Sequence, residues 1–116
     1  MSFPICMRGL AALSLCLAGA VSAQEYHAGN PIAVPGDGAW DYASVDSAAR
    51  RLYVAHGNEV SVVDLTSGKP LPALGPVAKG HAVVPLAAGE LAVTSGDDAT
   101  VRFFDTKANR QIATLA

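Results

Sequence analysis

From Asn30 onward, apolar and polar side chains alternate in short bursts broken by Gly, Pro, Asn and Asp, and no stretch keeps a helical period. Glu59-Val60-Ser61-Val62-Val63-Asp64 changes face residue by residue, as a half-buried strand does, and so does Thr100-Val101-Arg102-Phe103-Phe104-Asp105. Leu52-Tyr53-Val54 and Leu91-Ala92-Val93 are further strand cores rich in β-formers. Turn signals fall between them at Gly57-Asn58, Ser67-Gly68, Gly96-Asp97 and Ala108-Asn109. The pattern predicts an all-β chain.

The pattern also repeats. A shift of 39 residues lays Val45 on Val84, Leu52 on Leu91, Val54 on Val93 and Gly57 on Gly96. Two residues are then added in a turn, and a shift of 41 matches Val60 with Val101, Val62 with Phe103, Val63 with Phe104 and Asp64 with Asp105. The same shift puts Gly68 on Asn109 and Lys69 on Arg110. Gly and Asn are the residues that most readily take positive φ, and an aspartate opening a loop accepts hydrogen bonds from amides two or three residues on. Strand, opening acid, left-handed residue and following base therefore recur together.

Each copy is expected to hold four strands: Tyr42–Val45, Arg51–Ala55, Glu59–Asp64 and Pro70–Leu74, then His81–Pro85, Glu90–Thr94, Thr100–Asp105 and Arg110–Leu115. Four antiparallel strands in about 40 residues are the unit of a β-propeller. The expected architecture is a partial β-propeller of two four-stranded blades, residues 40–78 and 79–116. Pro70 and Pro72 require the fourth strand of the first blade to lie on the sheet edge, where a missing amide donor is tolerated. Residues 24–39 form an N-terminal segment in which Ile32–Val34 is expected as an additional strand, pairing with a blade from elsewhere.

Residues 1–23 have the three parts of a secretory signal peptide: Arg8 near the start, the apolar run Leu10–Ala20, and small residues at Val21-Ser22-Ala23 before Gln24. Export to the periplasm or the outside is the expectation. The chain has 8 basic and 10 acidic residues, and only Arg8 lies in the leader. That balance offers no basic field for nucleic acid. Cys6 and Cys16 both lie in the leader, so the mature chain would hold no disulfide and no thiolate ligand or nucleophile. No further apolar run is long enough to span a bilayer after cleavage.

The segment Arg51-Leu52-Tyr53-Val54-Ala55-His56-Gly57-Asn58, followed by Val60-Ser61-Val62-Val63-Asp64 and Gly68-Lys69, resembles the repeat of the YVTN-type (YncE-like) exported β-propellers. Pro35-Gly36-Asp37-Gly38-Ala39-Trp40-Asp41-Tyr42 resembles the approach to the first blade in that family. The resemblance covers residues 32–116, and the second copy departs from it with Ala92-Val93 in place of Tyr-Val. Family members are many-bladed and much longer. A closed ring needs about four to eight blades, so the resemblance implies the amino-terminal part of a longer protein. Exposed blade faces and edges are expected to self-associate in isolation.

In such propellers the innermost strands line a channel, and loops at its mouth bind ligands. Trp40, Asp41 and Tyr42 lie at the first inner strand and His81 at the second, while His56 ends a second strand and matches Ser95 by repeat. The functional reading places Asp41, His56 and His81 with Trp40 near one mouth, where imidazoles bind a metal or an anionic ligand. The plainer reading has both histidines stabilising turns and Trp40 and Tyr42 filling space between blades. Spacing favours the plainer one, because His27, His56 and His81 lie far apart with no local ligand pair, and no metal site is expected.

Other chemistry is missing from the pattern. No nucleophile elbow surrounds Ser44, Ser61 or Ser95. Gly36-Asp37-Gly38 and Gly96-Asp97-Asp98 fit hairpin turns better than calcium loops, and Arg50-Arg51 fits a solvated turn. Phosphate-loop and dinucleotide fingerprints are absent, and nothing indicates a cofactor. The expected function is a binding or scaffold module taking a protein or small-molecule ligand at the propeller rim. The alternatives are the propeller portion of a periplasmic dehydrogenase or lactonase-like enzyme with its active site in further blades, and a chain with no activity of its own.

Overall fold

The computed structural model describes residues 23–116, so the expected signal peptide falls outside the described residues except for Ala23. Eight strands follow: β1 Trp40–Asp46, β2 Arg51–His56, β3 Glu59–Asp64, β4 Lys69–Leu74, β5 Gly80–Pro85, β6 Glu90–Ser95, β7 Thr100–Asp105 and β8 Arg110–Leu115. They form two four-stranded antiparallel sheets, in the orders β1-β2-β3-β4 and β5-β6-β7-β8, and neither closes on itself. Among the described residues the helical part is one short 3-10 turn, Ala87–Gly89. The expected strand at Ile32–Val34 is not formed. That segment has no neighbour in either ladder, and without a partner its amides and carbonyls cannot make one.

The turn chemistry of the repeat is observed in both sheets. Asp64 Oδ1 accepts the amides of Thr66 at 2.7 Å and Ser67 at 3.0 Å, and Asp105 Oδ1 accepts those of Lys107 and Ala108, both at 2.9 Å. These donors hold both carboxyls below the usual aspartate range. Gly68 (φ 68°) and Asn109 (φ 49°) take the left-handed conformation at matching points. Pro70 and Pro72 lie on β4, an edge strand as their missing donors require.

The ladders correct the repeat in one place. Val45 pairs with Leu52, whereas Val84 pairs with Ala92 and Pro85 with Leu91. The counterpart of Val45 is therefore Pro85 and not Val84, an offset of 40 for β1 on β5. A shorter connection makes up the difference: Leu86 N donates to Glu90 O at 2.8 Å, closing the loop over Ala87–Gly89. Hydrophobic matching alone could not detect this slip, because Val84 and Pro85 are both apolar.

The sheets pack face to face, with β5 against β1 and β2. Tyr53, Ala55, Val60, Val62 and Leu74 of the first sheet, with Leu71 beside them, meet Val83, Leu91, Val93 and Phe104 of the second. Cross-strand partners confirm that each set shares a face: Tyr53 lies opposite Val62, Ala55 opposite Val60, and Leu91 opposite Phe104. Val77, from the connection between the sheets, completes the core. Each buried large side chain contributes on the order of 1.5–3 kcal/mol. The opposite face of the second sheet carries Val84, Ala92, Val101, Phe103 and Leu115, none of which is fully buried.

Candidate functional site

Two matching irregularities shape one end of the first strands of the two sheets, β1 and β5. In β1, Trp40 pairs with His56 and Ala43 with Val54, so Asp41 and Tyr42 together face the single residue Ala55. In β5, Gly80 pairs with Ser95 and Val83 with Val93, so His81 and Ala82 face Thr94. Each is a β-bulge, which bends the strand and re-aims the extra side chain. The corrected offset makes His81 the counterpart of Asp41. The two are also neighbours, with Asp41 Oδ2 and His81 Nδ1 hydrogen-bonded to each other.

Trp40 and His56 make a second pair beside the first. Their rings lie 4.3 Å apart between centroids, tilted by 34°. His56 is buried, only 2% exposed, and its Nε2 lies 2.7 Å from Ser61 Oγ. Ser61 Oγ donates to Pro35 O at 2.6 Å. A carbonyl only accepts, so the Ser61 proton points at Pro35 and the hydroxyl oxygen takes its other bond from His56 Nε2–H. Glu59 Oε1 lies 3.6 Å from the same nitrogen.

This relay resembles a nucleophile and its base in composition but not in direction. Nε2 carries the proton and cannot remove another, and Ser61, fully buried, has already committed its own. Its work is to hold the approach to β1. A Cβ at Gly36 would fall 2.2 Å from His56 Cε1, and Gly36 has φ +116°, so only glycine lets the chain lie on this ring.

The second sheet does the same with other groups. Ser95, in the place of His56, receives the amide of Ala78 at 2.8 Å and donates to its carbonyl at 3.2 Å. Arg102, in the place of Ser61, donates from Nη1 to Pro76 O at 3.1 Å and pairs through Nη2 with Asp98. The Arg102 guanidinium, helped by the Thr100 hydroxyl, lowers the Asp98 carboxyl to about 2.

Of the four residues expected at one mouth, the structure joins Asp41 with His81 and Trp40 with His56. Trp40 and Asp41 are consecutive, so the pairs stand side by side. His56 is enclosed and unavailable to a ligand, whereas Trp40 is 48% and Tyr42 69% exposed and neither fills the core. Sequence reasoning missed Gly36, Pro35 and Ser61 as a unit with His56. The alternating strand pattern hid Ser61, and Gly36 looked like an ordinary turn residue. Among the described residues, no three His, Cys, Asp or Glu side chains converge as a metal site would need. No family model matches the chain, and no curated protein does either.

Proposed function

We propose that the chain is an exported β-propeller-type module of the YVTN (YncE-like) kind whose two sheets are successive blades, and that it binds a protein or small-molecule ligand at the rim carrying Trp40, Asp41, Tyr42 and His81. One observation carries the reading: two exposed aromatic side chains flank an acid–imidazole pair at the bulged ends of matching strands. Exposed Trp and Tyr beside fixed polar groups are the side chains that dominate recognition surfaces. Two further features support the blade reading. Both sheets have the same strand order, and they meet through their first strands, as blades around an axis do.

Trp40 is the single tryptophan of the chain and so reports directly on this rim. Its fluorescence is to be followed while the full chain is titrated with a panel of acidic, basic and sugar probes and short peptides. The reading predicts a saturable change with at least one probe, lost in the Asp41→Ala/His81→Ala double variant. No saturable change across the panel, or one that survives in the double variant, overturns it.

A further inference from the structure

We infer that the cleft between β4 and the β7–β8 turn, at the other end of β2 from the rim, is a binding site for a small aromatic carboxylate. The cleft is a cavity of about 200 Å³ lined by Arg51, Tyr53, Leu71, Lys107 and Asn109 among others. Ligand cavities for drug-sized molecules begin near about 300 Å³, so this one suits a single ring with a short head group.

The charge in the cleft has one sign. Arg51 and Lys107 contribute cations, and no carboxylate is among the lining residues. Two acids flank the cleft outside the lining: Asp64, opposite Arg51 in the ladder, and Asp105 each feel a cleft cation, while their Oδ1 atoms hold backbone amides of the following turns. Arg51 itself makes a single long hydrogen bond among the described residues, Nη1 to Thr106 O at 3.4 Å. The rest of its planar fork is free to take both oxygens of a carboxylate.

Tyr53, 1% exposed, lines the cleft and adds an aromatic wall. Val62, Leu71 and Leu74 supply apolar walls for the ring. The arrangement is therefore an apolar slot with a cationic fork.

The test is calorimetric titration of the full chain with benzoate, with benzyl alcohol as the neutral ring of the same size and inorganic phosphate as the anion without a ring. Saturable benzoate binding is expected, with both comparators at least about tenfold weaker. Arg51→Gln should weaken benzoate about tenfold. Far-UV circular dichroism confirms its fold, and Lys107→Gln, at an exposed position, provides a second variant. Amide shifts on titration should centre on Lys107 and Asn109. Absence of saturable benzoate binding, equal affinity for either comparator, undiminished binding by folded Arg51→Gln, or shifts centred on the Trp40 indole would each overturn the inference. The last outcome would place the ligand at the rim instead.

Discussion

Asp41 and His81 occupy the same position of two successive sheets and are hydrogen-bonded to each other. The relationship follows from the repeat and the packing together. Matching bulges place both side chains outside their ladders, and β5 packs against β1, so equivalent positions become neighbours. Two residues far apart in the chain thus become an acid–base pair that neither copy holds alone.

This pair is partly open to water, so it should contribute little to stability. Asp41→Ala is expected to shift the unfolding free energy by less than about 1 kcal/mol, measured by urea denaturation. The His81 ring resonances should nonetheless move in the NMR spectrum. A much larger loss would mean that the pair fastens the sheets together.

Gly36 and Gly96 both lie against histidine rings but should respond differently to alanine. At Gly36 the new Cβ meets the enclosed His56 ring at 2.2 Å, and the φ of +116° is itself strained for a side chain. At Gly96 it meets the His81 ring at 2.8 Å, without positive φ, and that ring can swing outward. Gly36→Ala should therefore destabilise by about 1–3 kcal/mol and Gly96→Ala by clearly less, as thermal melts would show. Equal effects would contradict the enclosure of His56.

Acid should weaken the second sheet through Asp98. Its carboxyl titrates at about 2 in the folded chain against 3.8 ordinarily, chiefly because Arg102 stabilises its charged form. A lowered folded value means that the contribution is complete above about pH 3.8 and fades as pH falls toward 2. Unfolding midpoints measured between pH 5 and about 2 should fall less steeply in Asp98→Asn than in the parent. Parallel profiles would assign the acid sensitivity elsewhere, with Asp64 and Asp105 next in line, since backbone amides lower both.

Phe103 and Phe104 are consecutive but face opposite ways. Phe104 is fully buried between the sheets, opposite Leu91, whereas Phe103 lies on the outer face and is only half-buried. Phe104→Ala should lose about 3–5 kcal/mol, enough to unfold a domain of marginal stability. Phe103→Ala should lose distinctly less in the same denaturant series. A reversed order would place the core on the other side of β7.

The strands, their order within each copy and the turn residues were legible in the chain because alternation and turn chemistry are local. Asp64 with Gly68, and Asp105 with Asn109, announced their loops through side-chain chemistry that needs no distant partner. The β1-on-β5 offset was not legible, since the loop at Ala87–Gly89 shortens the repeat where both candidate matches are apolar. Nor was the enclosure of His56, which depends on a glycine 20 positions earlier and on a serine whose orientation is set by Pro35. Contacts between segments leave no periodic trace.

The outer face of the second sheet should make the chain self-associate. Leu115 and Val84 are exposed there beside half-buried Val101 and Phe103, and β8 is an edge with every residue exposed. Sedimentation velocity should show concentration-dependent association, reduced in Leu115→Lys. A monomer at all concentrations would show that this face and edge are protected in solution.

The paired bulges separate the duties of β1 and β5. Asp41, Tyr42, His81 and Ala82 lie where two residues oppose one, so the ladder's alignment is set by the residues on either side of them. New chemistry can be written at these places without renegotiating the architecture beneath. One scaffold of this kind can therefore diversify its specificity through a handful of substitutions.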